Sequence, residues 1–223
     1  MRLNHFLAAA GLASRRAADK LITGGQVKVN DQTVTELGTK VDPAADRVVY
    51  NGKKITLEEK IVTYLLNKPR GVVTTAHDPD GKRTVLDLVP KLPRVFPCGR
   101  LDEETQGLVV LTNDGNLCFQ LTHPRFEHEK EYVVHATAKN PAAALEKLRS
   151  GVTLTDGPAK ADRLTDVTIK GQKVIFTIII HEGRNRIVRR MSAKAGLEVT
   201  SLTRIRVGKY RLGELKPGQW RTI

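Results

Sequence analysis

Residues 99–115 have the sequence GRLDEETQGLVVLTNDG, in which a short charged turn is followed directly by an apolar run. The turn places Asp102 close to Arg100, and residues 108–111 predict a buried strand that ends at a glycine turn. Polar side chains on turns beside rigid strands are where chemistry is usually placed. Taken alone, Asp102 could equally cap a helical turn before Thr105 or pair locally with Arg100.

Basic residues are concentrated near the C-terminus. The 223-residue chain has 37 Lys and Arg against 24 Asp and Glu, a formal net charge of +13. Residues 181–223 hold 11 of the basic and 3 of the acidic residues, a net +8. This local excess predicts a face that binds a polyanion, although a solvated basic surface would have the same composition. The length suits one large domain with a small companion, and we predict two domains.

The two cysteines, Cys98 and Cys118, are too few for a disulfide framework and are not spaced as metal ligands. The cysteines predict a protein of the reducing cytoplasm and give no metal site. No other cofactor is expected either. No apolar run approaches the roughly 18 residues of a membrane span, so no membrane partner is expected. Arg2 and residues 6–10 faintly resemble an export signal, but the apolar part is short and a helical pattern continues to residue 16.

The first sixty residues predict a small module of their own. Leu3, Phe6 and Leu7 recur at helical spacing, and Ser14 is a good N-cap for a second helix. Residues 27–34 then predict a hairpin around an Asn-Asp turn. Residues 51–60 are polar and predict a linker, so we expect domains at residues 1–60 and 61–223.

This module resembles the S-four RNA-binding domain. The resemblance is carried by GLASRR at residues 11–16, by VKVN at residues 27–30 and by the apolar positions of the first helix. In that family the second helix and the loop after it lie against RNA. The resemblance therefore implies that RNA contacts Arg15, Arg16 and Lys20, whereas without it these residues would be ordinary solvated helix positions.

The larger domain begins with predicted strands. Residues 62–66 favour a buried strand, and a turn at residues 69–71 predicts a second, adjacent strand over residues 72–75. Residues 76–83 are polar and predict an exposed loop without the glycine spacing of a phosphate loop. Residues 84–88 predict a short helix.

Two further segments complete the pattern. Residues 130–134 predict a strand that sends Lys130 and Tyr132 to one face, where a tyrosine could equally be simple packing. Residues 174–180 predict a central strand, and a helix follows in which Arg189 flanks the apolar stripe. The inward side of this helix is predicted to contain Ile187, Val188, Met191 and Ala195.

Together, residues 99–108, 130–132 and 183–191 resemble the three signature motifs of the ribosomal pseudouridine synthases. An S-four module ahead of such a domain is the arrangement of the small-subunit-type branch and its large-subunit relatives. Ile187 departs from the motif, where a polar residue is expected. The resemblance and the alternation of strands with helices both imply an α+β fold with a mixed, mainly antiparallel sheet behind the small α/β module.

The resemblance implies an enzyme that isomerises a uridine of ribosomal RNA. The base must leave the RNA stack, detach from its sugar at nitrogen and rejoin through carbon 5. The resemblance gives Asp102 the role of nucleophile at base or sugar, or of charge stabiliser, and gives Arg189 the role of keeping it ionised. Tyr132 would pack against the base and could move a proton. The RNA phosphates would be bound by Arg100, Arg184, Arg186 and Arg190.

The target itself is less directly indicated. Residues 67–71 and 78–87 are more similar to the large-subunit relatives, so we expect 23S rather than 16S RNA as substrate, free or in a pre-ribosomal particle, for a monomeric enzyme. The alternative is a non-catalytic RNA-binding or ribosome-assembly factor of the same fold. Such a factor would have no need of the set Asp102, Tyr132 and Arg189. A metal-dependent nuclease is disfavoured because no ligand-spaced cluster of carboxylates or histidines is found.

Overall fold

The structure is a computed structural model that describes residues 1–57, 60–76 and 78–223. The linker prediction is wrong for residues 53–55, which form a strand paired with residues 48–50. Glu58 and Glu59 lie outside the described residues, so the boundary near Lys60 stays a prediction. The chain divides into two compact units. The first contains Met1–Thr63, Lys91–Val95 and Asn113–Gly115, and the second contains Tyr64–Pro90, Phe96–Thr112 and Asn116–Ile223.

Two helices begin the first unit. Helix α1 is Leu3–Ala9 and helix α2 is Arg15–Thr23. The predicted N-cap is confirmed, because the Ser14 hydroxyl accepts a hydrogen bond of 3.2 Å from the backbone amide of Ala17. The apolar spacing places Leu3, Phe6 and Leu7 of α1 in a core that they share with Ala18 and Ile22 of α2.

A four-stranded antiparallel sheet completes this unit. Its strands are β1 Val27–Val29, β2 Gln32–Val34, β3 Val48–Tyr50 and β4 Lys53–Ile55, in the order β2-β1-β3-β4. The predicted hairpin is confirmed: Asn30 and Asp31 both adopt left-handed backbone angles, with φ of 50° and 65°. Such a turn matches the twist of two antiparallel strands.

The second unit is built on a sheet of nine strands, accompanied by a separate two-stranded hairpin. In chain order, the strands after β4 are β5 Thr63–Lys68, β6 Phe96–Cys98, β7 Gln106–Thr112, β8 Lys130–Thr137, β9 Val152–Leu154, β10 Gly157–Ala159, β11 Arg163–Lys170, β12 Lys173–Ile180, β13 Glu198–Val207, β14 Tyr210–Arg211 and β15 Trp220–Thr222. Strands β9 and β10 form the hairpin.

The large sheet has the order β11-β12-β8-β13-β7-β5-β15, with β14 on β13 and β6 on β7. Strands β7 and β13 are parallel, whereas β8 is antiparallel to both of its neighbours, β12 and β13. The predicted α+β fold with a mixed, mainly antiparallel sheet is therefore confirmed. Strand β5 is buried at every residue, as expected of a strand inside the sheet.

Three further helices belong to this part of the chain: α3 Gly115–Thr122, α4 Pro141–Ser150 and α5 Ile187–Ala195. Short 3-10 helices occur at Val85–Leu88 and Pro124–Phe126. Helix α5 packs against α4, β9 and β13, and the four positions predicted to face inward, Ile187, Val188, Met191 and Ala195, are all buried. None of the helices in the described part of the chain combines the length and apolar character that a membrane crossing requires.

The prediction of a second strand at residues 72–75 is wrong. Val73 forms only an isolated bridge with Thr84. The segment is held instead against the turn at Asp102, because the Thr74 hydroxyl donates to the carbonyl of Leu101 at 2.8 Å and accepts from its amide at 3.2 Å. His77, in the predicted loop that follows, lies outside the described residues.

Gly107 lets β7 and β13 approach each other closely. Its φ of +113° is a left-handed value, and a Cβ at this position would lie 2.6 Å from the backbone nitrogen of Arg204. No side chain fits there, because the obstruction is the backbone of the paired strand. The parallel pairing of β7 with β13 therefore depends on a glycine two residues after Thr105.

Replacement of this glycine should be severely destabilising. Gly107→Ala combines backbone strain with a clash that cannot be relieved by a rotamer change, so we expect a loss of at least about 2 kcal/mol in the free energy of unfolding. Urea denaturation measures the loss. Gly115→Ala is the matched control, since that glycine is exposed and nothing lies within 4 Å of its added Cβ. Equal stability of the two variants would contradict the role of Gly107.

Candidate active site

Two central strands form the floor of a cleft in the second unit. Tyr132 of β8 lies opposite Arg204 of β13 in the antiparallel register, and Lys130 lies opposite Val207. Side chains at paired positions point to the same face of a sheet. All four line a cleft of about 730 Å³.

Three other segments supply the walls of this cleft. The first is residues 98–102 with Thr105, directly before β7; the second is the end of α3 and Pro124; the third is residues 181–188, directly before and at the start of α5. Residues 98–102, which include Asp102, therefore face residues 181–188 of the basic C-terminal segment across one cavity. Of the sequence-predicted residues, the cleft brings together Arg100, Asp102, Tyr132, Arg184 and Arg186.

Asp102 lies in a turn and caps no helix. Its backbone carbonyl, rather than its carboxylate, accepts the hydrogen bond from the Thr105 amide at 3.0 Å, and the next element is strand β7. The side chain is 27% exposed, so the carboxylate is open to the cleft. Among the described residues, Arg186 is the cation within 4.0 Å of it, with Nη1 at that distance from Oδ2. A local pair with Arg100 is not formed.

Arg189 contacts Glu104, which corrects the expected pairing with Asp102. Its Nε lies 3.6 Å from Glu104 Oε1, and Nη2 is 3.4 Å from the Thr105 hydroxyl. Arg189 lines a separate hollow with Arg70 and Thr200 instead of the cleft. The physical reason is that Glu104, two residues past Asp102, reaches the start of α5 and occupies this guanidinium.

Glu104 joins the two arginines of this region, since it also forms an ion pair with Arg186. The pKa of Glu104 is lowered, first by a hydrogen bond from its own backbone amide and then by Arg186 and Arg189. Burial lowers the pKa of Arg189, whereas the carboxylates of Glu104 and Asp102 raise it. Asp102 thus acts on Arg189 through space without contacting it.

Arg184 and Arg190 are engaged by the protein itself. Arg184 pairs with Glu182 at 2.6 Å and with Asp156 at 3.0 Å, and it donates to the carbonyl of Pro158 at 2.7 Å. Arg190 pairs with the other oxygen of Asp156 at 2.8 Å. Asp156, between strands β9 and β10, therefore holds both arginines, one before α5 and one within it. The predicted RNA contacts of Arg184 and Arg190 stay predictions.

The remaining predicted RNA-binding residues are exposed. Arg100 is exposed beside the cleft, and Arg186 is half-exposed, at 44% of its side chain. In the first unit, Arg15, Arg16 and Lys20 of α2 are all exposed. Exposure leaves Arg15, Arg16, Lys20 and Arg100 accessible to a phosphate, whereas Arg186 is already paired with Glu104.

Lys68 is a residue of the site that the sequence analysis missed. Its side chain is fully buried, and its ammonium donates to the carbonyls of Val72 at 2.6 Å, Pro69 at 3.0 Å and Glu103 at 3.2 Å. Burial lowers its pKa to about 8, against the opposing effect of Asp102 and the two glutamates after it. Its position just after a predicted buried strand was the one sequence hint of its burial, and its carbonyl partners gave none.

Arg204 was also missed as part of the cleft floor, and Lys130 was predicted to share a face with Tyr132 but was given no role. Lys130 donates to the carbonyls of His181 at 2.7 Å and His128 at 3.0 Å, so it fixes the start of the wall at residue 181. Burial and the nearby Arg204 lower its pKa. Arg204 is 4% exposed and donates to the carbonyls of Leu108 at 2.9 Å and Arg100 at 3.4 Å. It therefore ties β13 to the turn that carries Asp102.

Metal ligation finds no support in the described ranges. No group of three or more His, Cys, Asp or Glu side chains there is arranged to hold a metal ion. The groups available for chemistry in the cleft include the carboxylates of Asp102 and Glu182, the imidazole of His181, the phenol of Tyr132, the amine of Lys130 and several guanidinium groups.

Comparisons with known proteins identify the family. A family model described as RNA pseudouridylate synthase matches residues 62–194, and one described as S4 domain matches residues 1–48. The chain belongs to the RNA pseudouridine synthase family, with an S4 domain at its N-terminus. Its activity is the isomerisation of uridine in RNA to pseudouridine, as the resemblance predicted.

Relatives match along the whole chain. An uncharacterized RNA pseudouridine synthase of Aquifex aeolicus is 42% identical, covering 100% of this chain and 90% of its own length. A protein of Bacillus subtilis named ribosomal large subunit pseudouridine synthase B is 44% identical, with 100% and 91% covered. A crystal structure described as a pseudouridylate synthase superposes with a TM-score of 0.67 at 29% identity, covering 100% of this chain and 96% of that one.

The buried lysine should make stability depend on pH in an identifiable way. Because burial lowers the pKa of Lys68 from 10.5 to about 8, the unfolded chain binds a proton that the folded chain has released between these values. The contribution of Lys68 to the free energy of unfolding therefore rises with pH between about 8 and 10.5, by up to roughly 3 kcal/mol. Urea denaturation at pH values of about 7 and about 10.5 should show that the free energy of unfolding of wild type, relative to that of Lys68→Met, increases by this amount. Lys139→Met, at an exposed lysine, is the control; a pH-independent difference for Lys68→Met would contradict the assignment.

Proposed function

We propose that Asp102 starts the isomerisation from the wall of the cleft. The observation that supports this assignment is the open carboxylate of Asp102, 4.0 Å from Arg186, in a cavity that also contains Tyr132. In the reaction the bond between N1 and C1′ breaks, a bond between C5 and C1′ forms, the proton on C5 is lost and N1 gains one. A carboxylate can act as nucleophile at base or sugar, or stabilise the developing charge, without a cofactor.

Tyr132 is proposed to pack against the flipped uracil. Its side chain is 8% exposed on the cleft floor, between the turn at Asp102 and the wall at residues 181–188. A ring fixed in this way offers a flat apolar surface to a base that has left its stack, and the phenol can move a proton. Arg186 is proposed to place its positive charge beside the Asp102 carboxylate.

Arg189 is proposed to act indirectly, through Glu104. The pair holds the turn after Asp102 against the start of α5, so Arg189 is a positioning residue in this proposal. Glu104 also contacts Arg186, so both arginines can influence how the carboxylate is presented.

We further propose that the substrate is large-subunit ribosomal RNA. The support is the name of the Bacillus subtilis relative, ribosomal large subunit pseudouridine synthase B, which is 44% identical across the whole chain. The enzyme is proposed to act as a monomer in the cytoplasm, on rRNA or a pre-ribosomal particle. Pseudouridine mapping in rRNA from cells that lack the protein tests this assignment. A site lost from small-subunit RNA alone would contradict it.

Asp102→Asn should abolish isomerisation while leaving folding and RNA affinity close to wild type. The amide retains the shape of the carboxylate but is neither a nucleophile nor a charge. Tritium release from RNA labelled at C5 of uridine measures turnover, and filter binding measures affinity. Glu103→Gln, at a neighbouring acid that pairs with the exposed Lys82, should remain active. Undiminished turnover by Asp102→Asn would disprove the assignment.

The S4 domain should contribute phosphate contacts through α2. Arg15→Ala combined with Arg16→Ala should weaken RNA binding and reduce the slope of log affinity against log salt by about one unit per lost contact. Titrations at several salt concentrations provide the slope. The matched control removes two charges elsewhere in this domain, from the exposed Lys53 and Lys54 of β4. An unchanged slope in the α2 variant would show that α2 does not touch the RNA backbone.

A further inference from the structure

Four aromatic rings and one guanidinium form a cluster on the second half of α3 and the segment that follows it. The cluster, named here the ring cluster, consists of Phe119, His123, Arg125, Phe126 and His128. Ring centroids are 4.8 Å apart for Phe119 and His123, 5.8 Å for Phe119 and Phe126, and 6.2 Å for Phe126 and His128. The Phe126 and His128 rings are stacked, and the others meet edge to face or tilted.

The ring cluster leaves large apolar surfaces in water. Phe119 is 44% exposed and Phe126 is 36% exposed, although Phe6 and Phe176 are buried almost completely. A folded chain gains hydrophobic stability by burying phenylalanine, so two neighbouring exposed rings obtain little from the fold. Contiguous exposed apolar groups of this kind mark a surface where another molecule binds.

Arg125 gives the cluster its charge. Its guanidinium carbon lies 4.6 Å from the ring centroid of Phe126 and 4.9 Å from that of Phe119, within cation–π range. Within residues 1–57, 60–76 and 78–223, no carboxylate lies within ion-pair distance of it, although Glu127 is close in sequence. Its donors therefore remain available to a phosphate, which is not the case for Arg184.

The cluster is continuous with the cleft. Leu121, Thr122 and Pro124, which alternate in sequence with cluster residues, line the cavity that contains Asp102. Residues 119–128 therefore line the cleft with some side chains and present the ring cluster with others. The rings thus lie on a segment that borders the cavity containing Asp102.

We propose that the ring cluster binds unpaired nucleobases that flank the target uridine. The proposal rests on the RNA substrate given above. When a uridine is extruded, the bases beside it lose a stacking partner, and an exposed aromatic ring can replace that partner for any base. A guanidinium stacked on the same rings can neutralise the connecting phosphate. The combination of flat rings and an unpaired cation fits single-stranded RNA better than an acidic or apolar protein surface.

The test removes rings without removing apolar volume. Phe119→Leu and Phe126→Leu, each made together with Asp102→Asn to prevent turnover, are titrated with the rRNA fragment that contains the target uridine. We expect binding about 10-fold weaker than for Asp102→Asn alone. Ile169→Leu, at an exposed apolar residue of β11, should bind as Asp102→Asn does. Thermal unfolding confirms that each variant is folded.

Abasic RNAs identify the base that is stacked. The same titrations are repeated with fragments that lack one base at each position beside the target. If a ring stacks on a given base, removal of that base weakens binding to the intact cluster but causes no further loss in the leucine variant. Losses that are equal and additive at every position would overturn the proposal, as would leucine variants that bind every fragment normally.

The two proposals fail in different ways. If the otherwise wild-type enzyme converts the fragment but its affinity does not depend on the rings, only the stacking proposal is overturned. If the enzyme neither binds nor converts the fragment, free rRNA is not the substrate, and the proposal of stacking on free RNA is overturned with it. As a separate check, Arg125→Gln should reduce the salt slope by about one unit, and an unchanged slope would remove the phosphate contact from the proposal.

Discussion

The close backbone contact between Gly107 and Arg204 is the constraint on which the architecture of the site depends. It brings β7 alongside β13, and β13 in turn carries β8, so the turn at Asp102 and the ring of Tyr132 come from strands separated by a single neighbour. The side chain of Arg204 then crosses the same junction and bonds the carbonyls of Leu108 and Arg100. The pairing of β7 with β13 and the buried guanidinium of Arg204 together determine the position of the turn that carries the Asp102 carboxylate.

Much of the positive charge near the C-terminus is neutralised by acids from earlier parts of the chain. Arg184 and Arg190 share Asp156, and Arg206 contacts two glutamates before and within β8. These pairs organise the walls of the cleft, since an isolated guanidinium would be costly to hold in a partly buried position. Arg186 is likewise paired with Glu104, so the net charge of this segment overstates what is presented to RNA.

Helices and strands could be predicted well from the sequence, whereas the contact partners of individual side chains could be predicted less well. Helical spacing identified the buried face of α5, and the Asn-Asp turn identified the first hairpin, because both signals are local. The partner of Arg189 could not be derived, because Asp102 and Glu104 are two residues apart and only the three-dimensional turn decides which one reaches α5. Lys68 was missed for a similar reason: its three acceptors are carbonyls, which carry no sequence signature.

The shared carboxylate of Asp156 has a consequence for how the enzyme can change over evolution. A hairpin that contributes no residue to the cleft lining holds arginines from both ends of the segment 184–190. A substitution that shifts that hairpin would therefore move one rim of the cavity, whereas the opposite rim is anchored separately through Lys68. Residues outside the cleft lining can in this way alter the shape of the cavity, while the turn bearing the proposed catalytic acid keeps its own anchor.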